Sequence, residues 1–113
     1  PLGASTTLQN AIVKVLTDPV ASAQEFDSPA GRMSVEQSVA MLVTGDVLIH
    51  TWDLARATGT DEVLDPGEVR HMLAASEPFD EMLRSSGHFG PRVMVPDSAD
   101  EQTKLIAFMG RQP

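Results

Sequence analysis

The sequence predicts an all-α fold, an antiparallel helical bundle, and three observations carry that expectation. Apolar residues recur at helical spacing in four separate stretches. Each stretch is bounded by capping residues, proline or glycine rather than by hairpin turns. The interior it implies is aliphatic and thioether-rich, with six Met, four Phe, one Trp and no Tyr. No internal repeat and no strand pair is apparent. At 113 residues the chain is expected to form one helical domain over 1–113, with helices at about 5–17, 34–58, 66–86 and 99–109.

The first stretch places Leu8, Ile12, Val15 and Leu16 at helical intervals. It stops at Thr17-Asp18-Pro19, because a residue preceding proline is driven out of the α region. Residues 20–33 carry no sustained period and contain Pro29 and Gly31, so they read as a connector. Ser34-Val-Glu-Gln37 is a capping box: the Ser34 hydroxyl accepts from the Gln37 amide while the Gln37 side chain reaches back. The helix it opens runs to Thr58, with Gly59 beyond its end, a rod of roughly 37 Å at 1.5 Å per residue. This helix is apolar on every side, which marks it as the central element of the fold or of an assembly. Gly45 in its middle costs about 1 kcal/mol against alanine and signals close helix packing more readily than a ligand site.

Asp65-Pro66-Gly67-Glu68 opens the third helix, with Asp65 at the cap and Pro66 in the first turn. Val69, Met72, Leu73, Ser76, Phe79, Met82 and Leu83 form its inward stripe, which Pro78 is expected to kink. Gly87 ends it. His88–Pro96 reads as an extended segment laid across a bundle end. Ser98-Ala-Asp-Glu101 is expected to cap a short last helix that packs Leu105, Ile106 and Met109 inward before Gly110. Short connections favour antiparallel neighbours.

Composition excludes several classes of function. A net charge of −8 argues against nucleic acid or an anionic membrane as a partner, since both require basic surfaces. Without cysteine there is no disulfide framework, thiolate zinc site or cysteine nucleophile. With no signal-peptide pattern and no bilayer-length apolar run, the expected setting is cytoplasmic. No phosphate-cradling glycine loop or nucleophile elbow is present.

The chemistry concentrates in Asp46-Val-Leu-Ile-His50-Thr-Trp-Asp53. At 100° per residue from Val39, Asp46, His50 and Asp53 fall at about −20°, +20° and −40°, on one face of the helix with Leu42 and Val43 nearby. Ionisable groups on a core-facing stripe must be paired or bound to metal. Asp46 and His50, four residues apart, have the spacing of the two ligands of an H-E-x-x-H zinc helix with a carboxylate replacing one histidine. Imidazole with carboxylates also suits manganese, iron or nickel. Asp53 is either a third ligand or an acceptor that fixes the His50 tautomer. On spacing alone the plainer reading is favoured: a buried Asp–His hydrogen bond with Arg56 neutralising the charge. Arg56 pairs with Asp53 or with the following loop. Trp52 points away from this face as a core or interface anchor, and His71 falls on the polar side of its helix. His88 lies in a loop.

Asp46-Val-Leu-Ile-His-Thr-Trp-Asp-Leu-Ala-Arg-Ala-Thr-Gly59, with Leu64-Asp-Pro66, Gly87-His-Phe-Gly-Pro91 and Val95-Pro-Asp97, resembles an actinobacterial metal-binding family. That family is related to mycothiol-dependent maleylpyruvate isomerase and to DinB-like helical bundles. The resemblance extends from about Leu8 onward and implies a DinB-like bundle holding one divalent ion, zinc or nickel, on three protein ligands. Two of these match Asp46 and His50, and the third is a histidine on an upstream helix that this chain does not contain. Several relatives act with low-molecular-weight thiols. Two functions are therefore expected to compete. One is a metal-dependent, thiol-using transferase or isomerase. The other is a non-catalytic helical module, a homodimer or small-ligand binder, with an incomplete metal site.

Overall fold

A computed structural model describes residues 2–28, 30–87 and 89–113. The chain is predominantly helical, with one small antiparallel sheet. Its elements run α1 (Leu2–Thr17), α2 (Pro19–Ala23), β1 (Glu25–Ser28), β2 (Gly31–Ser34), α3 (Val35–Thr58) and α4 (Pro66–Ser76). A 3-10 turn (Glu77–Phe79), α5 (Asp80–Ser85) and α6 (Glu101–Phe108) follow. The chain divides into two compact units, residues 1–40 and 41–113, and the division falls within the α3 range.

In the first unit α1 buries none of its residues, and Leu8, Ile12, Val13 and Val15 are all exposed. Asp18 ends it as expected and then caps α2, accepting from the amides of Val20 and Ala21 ahead of Pro19 in the first turn. The connector expected at 20–33 is instead α2 and a hairpin, which corrects the expectation that no strands pair. Glu25, Phe26, Asp27 and Ser28 face Ser34, Met33, Arg32 and Gly31. Gly31 adopts φ 101°, a conformation that glycine supplies without steric cost. Ser28 Oγ donates to Gly31 O at 2.7 Å, and Arg32 spans the strands to Glu25 at 2.7 Å. With one apolar residue per strand, the period-2 pattern is too short to register. The hairpin leads straight into α3 through the Ser34 capping box. Gln37 N donates to Ser34 Oγ at 3.1 Å, and Ser34 N donates to Gln37 Oε1 at 2.9 Å.

The second unit holds the core. Ile49 and Trp52 of α3, Leu64 of the loop before α4, Val69 and Met72 of α4, and Leu105, Ile106, Phe108 and Met109 at α6 form one cluster, flanked by Leu48, Leu73, Leu83 and Phe89. Gly45 lets α4 approach: a Cβ built there would sit 3.2 Å from both Met72 Cε and Sδ. Asp65 caps α4 through Glu68 N at 2.9 Å. At Pro78 the helical path tightens into the 3-10 turn before α5, so the stripe expected at 66–86 is carried by two helices. The cap of α6 is Asp100, which accepts from Thr103 N at 2.7 Å, and not Ser98 as expected. The Gln102 amide pins the loop before α4, donating to Glu62 O and accepting from Leu64 N, both at 2.9 Å. Val93 N donates to Ala107 O, laying the extended 92–97 segment beside α6. Arg84 donates to Asp80, Gly90 O and Phe108 O, and its guanidinium stacks on the Phe108 ring. No helix among the described residues is long and apolar enough to cross a membrane.

Candidate functional site

Because α3 is apolar all round, its sequence offers either side to the core. Packing against α4 and α6 buries Gly45, Ile49, Trp52 and Ala55, one turn after another. The opposite side stays open: Leu42, Val43, Val47 and Leu54 are exposed, and Asp46 and His50 lie among them. The expectation that these two project into an apolar interior is thereby corrected. They sit one turn apart on an exposed stripe, where burial places no cost on either charge.

Asp53, one turn further on, turns inward and links the stripe to the C-terminal residues. His50 Nδ1 lies 3.0 Å from Asp53 Oδ2. Arg111 grips the same carboxylate in a fork, Nε to Oδ1 and a terminal nitrogen to Oδ2, each at 2.7 Å. The Arg111 guanidinium holds the Asp53 carboxyl below its ordinary value, the His50 bond adds to this, and partial burial opposes it. Asp53 reciprocally raises the Arg111 pKa, with Asp46 contributing through space. Of the two roles open to Asp53 in the sequence, the contacts fit the acceptor that orients His50. In the neutral tautomer that donates Nδ1–H to Asp53, the unprotonated nitrogen is Nε2. One carboxylate and one imidazole on adjacent turns are a workable pair of ligands for a divalent cation, but only a pair. Among the described residues no three His, Cys, Asp or Glu side chains gather as a metal-holding group.

The remaining candidates separate clearly. Arg56 goes to the following loop, bonding Glu62 at 2.8 Å and Gln112 O at 2.6 Å, with its guanidinium 4.3 Å above the Trp52 ring. Trp52 is buried in the core, one of the two places expected for it, and His71 is exposed, as the helical wheel placed it. His88 lies outside the described residues. Sequence reasoning missed Arg111, which is 58 positions from Asp53; a lone arginine after a glycine carries no local signal.

No family model and no solved structure matches the chain. Two proteins of Mycobacterium tuberculosis do: the uncharacterized proteins MT0763 (strain CDC 1551 / Oshkosh) and Rv0738 (strain ATCC 25618 / H37Rv). Each is 31% identical over 100 residues, or 87% of this chain. The chain spans about half the length of these relatives, 54% of each.

Proposed function

We propose that the chain is the metal-binding portion of a DinB-like bundle of the mycothiol-dependent maleylpyruvate isomerase type, in which Asp46 and His50 ligate one divalent cation, zinc or nickel. The observation that carries this reading is the relay Arg111–Asp53–His50. It orients the imidazole from its Nδ1 side, on a residue that shares the exposed stripe with Asp46. A cation held there would bind a low-molecular-weight thiol as thiolate, the nucleophile that a cysteine-free chain lacks. Asp53 serves the imidazole and Arg111 serves Asp53. The mycobacterial origin of the relatives is compatible with an actinobacterial protein.

Titration with zinc and nickel tests the reading. His50→Ala abolishes binding, Asp46→Asn weakens it, and Asp53→Asn lowers affinity about 10- to 100-fold by releasing the ring. His71→Ala has no effect. Equal affinity in wild type and His50→Ala overturns the proposal. It would favour the second reading, a non-catalytic helical interaction module, which the exposed aliphatic side chains of α1 and α3 support.

A further inference from the structure

Most basic side chains of residues 41–113 have a partner that uses their donors. Arg56, Arg70, Arg84 and Arg111 each donate hydrogen bonds to a carboxylate. Among the described residues Arg92 and Lys104 donate none. Arg92 makes an ion pair with Asp80 Oδ2 at 3.6 Å, beyond hydrogen-bond reach, and Lys104 acts on Asp100 only through space. Both line the same cavity of about 310 Å³, which lies between the C-terminal end of α4, α6 and the extended 92–97 segment.

The Arg92 guanidinium is held in place without using its N–H groups. It lies over the Phe108 ring, 4.6 Å from the centroid, and such stacking orients the planar fork. Arg84 stands 4.8 Å from the same ring, and Asp80 is the carboxylate that both guanidiniums meet. Two positive charges therefore share one negative charge at this corner. Leu73, Ala107 and Phe108 give the cavity an apolar wall, the last two fully enclosed.

We propose that this cavity binds a small organic monocarboxylate. Arg92 receives the carboxylate through two parallel N–H···O bonds, Lys104 adds a second positive charge, and the apolar body lies against Leu73 and Ala107. The cavity shares no residue with Asp46, His50, Asp53 and Arg111, so its ligand is independent of the metal reading.

The rest of the lining sets the size and charge of that ligand. Glu77 and Asp97 also border the cavity, are exposed, and form no ion pair with either cation. Together the four charged side chains sum to zero, so a second negative charge on the ligand meets repulsion from the carboxylates that the cations no longer offset. A single charge at the Arg92 corner meets the unshared positive charge there. The volume is at the lower end of the roughly 300–1,000 Å³ of small-molecule pockets, which suits one ring or a short branched chain.

Titration of the 113-residue chain at neutral pH with benzoate, benzamide and inorganic phosphate, followed by amide NMR shifts, provides the test. Benzoate should move the amides of residues 93–95, 97 and 104–108. Benzamide, which has the same shape without the charge, and phosphate should each bind about tenfold more weakly or less. Arg92→Gln should weaken benzoate about tenfold or more, and Lys104→Gln should weaken it by a smaller factor. Lys14→Gln, an exposed cation of α1, should leave it unchanged. Benzamide or phosphate binding as tightly as benzoate would overturn the monocarboxylate. Wild-type affinity in a folded Arg92→Gln would overturn the role of its guanidinium. Should that variant lose its native spectrum, Lys104→Gln and the benzoate–benzamide comparison decide the same question. No benzoate binding up to about 20 mM, a range that includes the weak affinities of fragment-sized ligands, would overturn the proposal as a whole.

Discussion

Removing Arg111 tests how firmly the relay is held. Arg111→Ala deletes two charge-assisted hydrogen bonds to Asp53, both at 2.7 Å, and leaves that carboxylate with His50 alone. Fully buried, each such bond contributes about 1.5–3 kcal/mol, whereas exposed ion pairs contribute about 0–1 kcal/mol. The Arg111 and Asp53 side chains are 29% and 35% exposed, so water screens the pair substantially. A coupling energy of about 1–2 kcal/mol lies between those limits. Urea unfolding of the wild type, Arg111→Ala, Asp53→Asn and the double variant gives that coupling as a double-mutant cycle. The pH dependence fixes the sign. Pairing lowers the Asp53 pKa in the folded state from its ordinary 3.8, so its contribution is fully present above 3.8 and is lost as pH falls through the folded value. The coupling measured at neutral pH should therefore shrink in acid below 3.8. A coupling near zero at neutral pH, or one unchanged in acid, would refute the assignment of Arg111 as the anchor of the relay.

Three further outcomes follow from backbone geometry and capping. Gly110 has φ 79°, and a Cβ there would sit 3.1 Å from the Gly90 backbone, so Gly110→Ala should cost about 2–4 kcal/mol. Gly59→Ala, at φ 68° with open space around it, should cost only about 1 kcal/mol. Equal losses in denaturant titrations would remove the close approach of 90 and 110 from the account. Asp65→Ala should cost about 1 kcal/mol through loss of the bond from Glu68 N. At α6, Asp100→Ala should lower the melting temperature and Ser98→Ala should not, because Asp100 makes the capping bond. The reverse order would restore Ser98 as the cap.

The sequence by itself determined what depends on neighbours three or four residues apart. The Ser34–Gln37 box, the Asp65 cap, the break at Asp18-Pro19, the turn at Pro78 and the left-handed residue Gly59 after α3 all follow from local backbone chemistry. The same locality explains the misplaced α6 cap, since Ser98 and Asp100 both fit a capping pattern and only the path of the chain chooses between them. Periodicity placed His71 outside because α4 has an inward stripe of Val69, Met72 and Ser76 that His71 does not share. The side on which Asp46 and His50 lie was not legible, for α3 has no such contrast: Leu42, Val43 and Val47 are as apolar as Leu48 and Ile49. Tertiary packing decided it, because Gly45 and Trp52 fit against Met72 and the α6 cluster, and the opposite stripe with both ligand candidates was left open. Tertiary structure alone also brought Arg111 to Asp53 across 58 positions. A salt bridge between distant segments depends on where the chain returns, and no spacing in the sequence encodes that return.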